Sequence, residues 1–108
     1  MRWPAALVLL AFLAAGCLEP NVQECQPLRG HGIVQEVSGR DARVLLDDGQ
    51  PAVLHLSDDV YVLQGGSGAC VKAGPGAVQV GDQITFEVDA WAESYPVQGW
   101  PEKAIVVR

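Results

Sequence analysis

The stretch Ile84-Thr85-Phe86-Glu87-Val88-Asp89-Ala90 decides the fold. Apolar Ile84, Phe86, Val88 and Ala90 alternate with polar Thr85, Glu87 and Asp89. A period of two puts each set on one face of an extended chain. The stretch therefore reads as a half-buried strand, because apolar positions on a helix recur every three or four residues. The turn Val80-Gly81-Asp82 leads into it. Further back, Gln64 to Gly76 holds five glycines and Pro75 and reads as a loop. Asp58 to Leu63 is expected to form a short extra strand, with Val60 and Val62 on one side and Tyr61 on the other.

The first half of the domain carries the same signals. Gly32 to Val37 reads as one strand, Ser38 to Asp41 as a turn, Ala42 to Asp47 as a second strand, and Ala52 to Leu56 as a third. Asp48-Gly49 between the last two is a tight-turn pair flanked by β-rich sequence. The three segments form an antiparallel meander. Forward of Ala90, Trp91 to Pro101 is a connection rich in aromatics and prolines, and Lys103 to Val107 is the last strand. No stretch has convincing helical periodicity. Five main strands, three in a meander and two after a long connection, predict an all-β domain over 30–108. Its expected form is a small five-stranded barrel, whose closure would remove exposed strand edges. The order resembles an oligonucleotide/oligosaccharide-binding (OB) barrel with a glycine-rich loop in place of the usual helix. A small open β-sandwich is the alternative.

The amino end is of another kind. Met1-Arg2 precedes an uncharged, mostly Ala/Leu run from Ala5 to Gly16, ending in Leu13-Ala14-Ala15-Gly16-Cys17. Crossing a bilayer takes about 20 apolar residues, so the run is read as a cleaved secretory leader, 1–16. Its end resembles the lipobox of bacterial lipoproteins. That resemblance implies cleavage before Cys17, a diacylglycerol thioether on its sulfur, and an acylated (palmitate-type) amine. Such chains contribute about 0.8 kcal/mol per buried methylene and would hold the protein on a membrane. Residues 17–29, with Pro20 and Pro27, read as a lipidated tether. Leu18 stands after the cysteine, and by analogy with sorting rules a residue other than Asp there points to the outer membrane, facing the periplasm, where two membranes exist.

Three cysteines are an odd number for an exported chain. If lipid takes Cys17, Cys25 and Cys70 remain, and in an oxidising compartment they are expected to pair. A metal pair or a reactive thiol is the alternative, but neither cysteine has Cys-x-x-Cys or zinc-type spacing. The whole chain has a formal net charge of −6. Arg2 is the one basic residue before Cys17, so the part from Cys17 onward stands at −7. Phosphate backbones need a basic face, so nucleic acid is not an expected partner.

Val80-Gly81-Asp82, the segment Glu93-Ser94-Tyr95-Pro96-Val97-Gln98 and the closing Ala104-Ile105-Val106-Val107 resemble a family of small exported bacterial proteins. The resemblance covers mainly residues 78 to 107. It implies an OB-like fold and export, and it adds no chemistry because the family has no assigned activity.

Trp91, Glu93, Tyr95 and Trp100 are the candidate binding surface, with the glycine-rich loop from Gln64 to Gly76 expected to face them. Tyr and Trp offer rigid contact area with a polar handle, which suits a protein partner or a glycan. Alternatively the connection packs its aromatics onto the end of the barrel. His31 and His55 are conceivable metal ligands, with Asp47-Asp48 and Asp58-Asp59 nearby, but their spacing matches no known motif, and no metal or other cofactor is expected. Gly65-Gly66-Ser67-Gly68 lacks the Gly-x-Ser-x-Gly pattern of a nucleophile elbow. The resulting expectation is a lipid-anchored, non-enzymatic envelope protein with a small β-module that binds a small molecule, a glycan or another envelope protein. A structural subunit of an envelope complex is the second reading. A small hydrolase or thiol enzyme, using Ser67, His55 or Cys70, is the third.

Overall fold

A computed structural model describes residues 22–64 and 68–108 of the chain. The expected leader 1–16, Cys17 and Ser67 lie outside the described residues. The elements run β1 (Val22–Glu24), β2 (Gly30–Ser38), β3 (Asp41–Leu46), β4 (Pro51–His55), β5 (Val60–Leu63), β6 (Ala69–Lys72), a 3-10 turn at Pro75–Ala77, β7 (Gln83–Phe86), β8 (Val97–Gly99) and β9 (Ala104–Val107). The domain is all-β, as its alternations predict.

The three-strand meander is present. β3 lies between β2 and β4, antiparallel to both. The Asp48-Gly49 turn joins β3 to β4. Gly49 takes φ +84°, a left-handed conformation that glycine adopts at little cost. Its N–H donates to the Leu46 carbonyl at 2.9 Å, and the Asp48 carboxylate accepts from the Gln50 N–H at 2.9 Å. The Val80-Gly81-Asp82 turn is locked in a similar way. The Asp82 carboxylate accepts from the Gln79 N–H at 2.9 Å and from Arg108 Nη2 at 3.0 Å.

The closed barrel is not what forms. All strands belong to one open sheet in the order β1-β6-β5-β9-β7-β2-β3-β4-β8. No ladder joins β4 or β8 to β5 or β6, so the ends do not meet. The sheet nonetheless curls around a single core. Ala52 and Leu54 of β4, at one end, share a buried cluster with Val60 and Val62 of β5, near the other, and with Val34, Val44, Ile84 and Phe86 between them. Burying each large apolar side chain of this set contributes about 1.5–3 kcal/mol.

Three local expectations are corrected. The segment expected to be a loop contains β6, which pairs with β5 and with β1. A glycine-rich composition hid a strand that needs only Ala69, Cys70, Val71 and Lys72. The tether contributes β1 for the same reason: an extended chain next to an open edge pairs with it. The alternation Ile84–Ala90 stays in the sheet only as far as Phe86, where Gly30 and Ala104 are its last partners.

The continuous apolar run of β9 is explained by burial on two faces. β9 sits between β5 and β7, parallel to the first and antiparallel to the second. Ala104 and Val106 enter the main core, while Ile105 enters a second cluster with Leu63 and Cys70, packed against Cys25, Leu28 and Tyr61. The tether thus covers the outer face of the sheet. Thr85, the one buried polar residue among those described, accepts a hydrogen bond from the Leu28 N–H at 3.0 Å. Cys25 and Cys70 are joined by a disulfide with Cα atoms 6.1 Å apart, an ordinary separation for such a bond. The Cys25 N–H also donates to the Gly68 carbonyl at 3.1 Å.

Candidate functional site

The aromatic connection, residues 91–101, is organised more tightly than its composition suggests. β8 lies inside it and adds to β4 in parallel, so that Ala52, Val53 and Leu54 face Val97, Gln98 and Gly99. Ala92 and Gln98 exchange both backbone hydrogen bonds, at 2.8 and 3.3 Å. The chain between them is thereby closed into a loop with Glu93, Ser94 and Tyr95 exposed at its tip. The Tyr95–Pro96 peptide is cis. The Ser94 hydroxyl donates to the Pro96 carbonyl at 2.7 Å and accepts from Gln98 Nε2 at 3.4 Å.

The sequence-predicted residues divide by role. Trp91 is half-buried against the core, edge-on to Phe86 with ring centroids 5.9 Å apart. It is an anchor, as in the alternative reading. Gly99 is buried beneath it, and a Cβ there would lie 2.9 Å from the Trp91 ring and from a Val88 methyl. Tyr95 is 82% exposed and Trp100 59% exposed, so two large rings face solvent. Glu93 stands exposed beside Tyr95. The glycine-rich segment is tied elsewhere: Ala73 and Gly74 donate to Val60, and Ala77 accepts from Arg108.

His55 holds Trp100 in place. The two rings stack with centroids 4.7 Å apart and planes 19° from parallel. His55 Nε2 lies 2.8 Å from Gln98 Oε1, and Nδ1 lies 2.8 Å from Asp41 Oδ1. Both ring nitrogens face oxygen acceptors, and only the imidazolium satisfies both as donor. The pKa of His55 is accordingly raised. The Gln98 bond is the largest cause, partial burial opposes it, and Asp41 adds to the rise.

His31 is built alike at another place. Nδ1 is hydrogen-bonded with Asp47 Oδ1 at 2.6 Å and Nε2 with Gln83 Oε1 at 3.2 Å, and the pKa is raised, chiefly by Asp47. The two histidines do not converge. Among the described residues, no group of three or more His, Cys, Asp or Glu side chains is placed to hold a metal ion. Cys70 offers no thiol, its sulfur being bonded to Cys25. Cys70 therefore does not supply the free thiol that the third reading would use.

No family model, curated protein or solved structure matches this chain. Its function must be argued from its own residues.

Two hollows flank the segment that follows β7. One, of about 400 Å³, is lined by Arg29, Gly30, Phe86 and Trp91. The other, of about 410 Å³, is lined by Leu28, Ala90, Trp100, Glu102 and Lys103. Glu87, Val88 and Asp89 form a wall of both. No sequence pattern marks Gln98, Asp41, Glu87 or Asp89 as parts of this region. Asp41 can still be placed by register: counting outward from the Asp48-Gly49 turn, Val44 faces Ala52 and Asp41 faces His55. Nothing in the sequence signals that β8 brings Gln98 to the other side of that ring.

Proposed function

We propose that this protein is a lipoprotein of a bacterial cell envelope, anchored through Cys17, whose β-domain is a non-enzymatic binding module. The Cys25–Cys70 disulfide carries the reading. Disulfides persist in oxidising compartments, and this one leaves Cys17 as the remaining cysteine, directly after the small residues Ala14, Ala15 and Gly16. Leu18 after it favours the outer membrane with the domain in the periplasm. The resemblance of residues 78 to 107 to small exported proteins points the same way.

The binding part of the proposal rests on exposed aromatics held by hydrogen bonds at one end of the sheet. Trp100 keeps an open face although His55 covers the other. A ligand or an envelope protein are the partners in view. The reading as a subunit of an envelope complex draws on a separate observation. Ile33 and Leu45 face one another across β2 and β3 on the outer surface, each more than a third exposed.

Expression of the full chain with Cys17→Ser tests the anchor. The native chain is expected in the membrane fraction, released by detergent. The variant is expected in the soluble fraction. Equal membrane association of both would refute the lipid anchor.

A further inference from the structure

The two hollows have a common origin. β7 runs between β2 and β9 as far as Phe86, and there both neighbours leave it. Upstream of Gly30 the chain turns away through Arg29 and Leu28 toward the staple at Cys25. Beyond Ala104, on the other side, it turns away through Lys103 and Glu102. The apolar-polar alternation nevertheless continues to Ala90. Glu87, Val88 and Asp89 thus form a ridge with a hollow on each side, and an indole lines each hollow: Trp91 in one, Trp100 in the other. Volumes of about 400 Å³ fall in the range of small-ligand sites, about 300–1,000 Å³.

The lining selects the chemistry. Glu87 and Asp89 face Arg29 in the Trp91 hollow, and Glu87, Asp89 and Glu102 face Lys103 in the Trp100 hollow, so each hollow sets carboxylates beside one cation. An apolar ligand would have to desolvate all five charged groups at a high cost. An organic cation meets Arg29 in one hollow and Lys103 in the other, and an anion meets at least two carboxylates in either. Hydrogen-bond donors and acceptors stand side by side around an aromatic face. Neighbouring hydroxyls, each able to donate and accept, match such a lining, and the C–H face of a sugar ring fits an indole.

We propose that the forked cleft around Glu87–Asp89 binds a neutral saccharide, with a ring face against Trp100 and hydroxyls bonded to the Glu87 and Asp89 carboxylates. This rests on reading the domain as a binding module and names the ligand class of that module.

The test is titration of the protein, purified from membranes in a polyoxyethylene detergent free of sugar headgroups, with chitotriose, cellotriose and maltotriose. Choline and tri-galacturonate are the cationic and anionic probes. The readout is the indole N–H signal of Trp100 in nuclear magnetic resonance spectra, assigned by its loss in Trp100→Phe. At least one neutral trisaccharide is expected to shift that signal saturably at millimolar concentration. Its affinity should fall roughly tenfold in Glu87→Gln, a loss of about 1.4 kcal/mol, and also in Trp100→Ala, read there from the indole N–H signal of Trp91, which lines the other hollow. The Trp100 side chain is 59% exposed and can be removed without unfolding. His31→Gln, whose side chain bonds Asp47 and Gln83 and lines neither hollow, should bind normally. Silence of all three neutral probes overturns the inference, as does binding indifferent to both cleft variants. Saturable binding of choline or tri-galacturonate in their place also overturns it, but leaves the binding-module reading standing.

Discussion

The two ends of the sheet each carry an irregular segment, and the segments are secured by different chemistry. At one end the tether lies across β5, β9 and β7 and is fastened by a covalent bond, Cys25–Cys70, over a small cluster with Leu63 and Ile105. At the other, the aromatic connection is fastened by groups that can let go: the Trp91 edge on Phe86, the Ala92–Gln98 backbone pair, and His55 between Asp41, Gln98 and Trp100. A staple does not respond to pH, whereas a histidine does. The structural end is built to stay closed, and the end with exposed rings has a strength that depends on a proton. His31 sharpens the contrast, because the same Asp–His–Gln arrangement there links β2 to Asp47 and β7 and touches no exposed aromatic.

The largest effect expected from breaking this contrast is on the stapled end. Replacing Cys25 and Cys70 together with Ala frees a loop of 45 residues. On the chain-entropy account that loses about 4 kcal/mol, a large share of the 5–15 kcal/mol typical of a folded domain. Thermal unfolding followed by circular dichroism should show a strongly lowered midpoint. An unchanged midpoint would mean the staple contributes little.

A middle-sized effect is expected at Gly99. In Gly99→Ala the new Cβ meets the Trp91 ring and Val88 at about 2.9 Å, and overpacking of this kind costs about 1–3 kcal/mol. Urea unfolding should register that cost, and the fluorescence of Trp91 should change in the native state. The disulfide end, judged by the rate at which a thiol reductant opens Cys25–Cys70, should be unaffected.

The smallest effect, and the most specific, concerns pH. The folded-state pKa of His55 is raised above its ordinary value of 6.5. Its contribution is therefore complete below pH 6.5 and is lost as pH rises through the folded value. Since the group is partly exposed, the expected change is below about 1 kcal/mol. The Trp100 signal should titrate in that window and stop titrating in His55→Gln. His31→Gln should lower stability slightly and leave the Trp100 titration in place. A Trp100 signal flat with pH would break the comparison at its weaker end.

Much of this architecture is legible in the sequence for local reasons. The meander follows from alternation at Val34, Val44 and Leu54 and from the left-handed Gly49 turn. The disulfide is expected once Cys17 is set aside as the lipidated residue and the compartment is taken as oxidising. The open sheet was not legible, because closure depends on whether β4 meets β5, and no local pattern encodes a long-range ladder. β6 was masked by the glycines around it. The site was half legible. Aromatic composition singled out Trp91 and Trp100, but their different roles arise from a parallel strand, β8, of just Val97, Gln98 and Gly99. Three residues carry too weak a pattern to announce a strand, and the Gln98–His55 contact exists because that strand does. The Glu87–Asp89 ridge was hidden by its own regularity, since the alternation runs on where the sheet does not.

The most direct test is the intact mass of the protein taken from native membranes in detergent, measured with and without reduction before thiol alkylation. The expected mass is that of residues 17–108 plus acyl chains, with two alkylated thiols appearing only after reduction. An unlipidated mass that takes up alkylating agent without reduction would contradict both the anchor at Cys17 and the staple between Cys25 and Cys70.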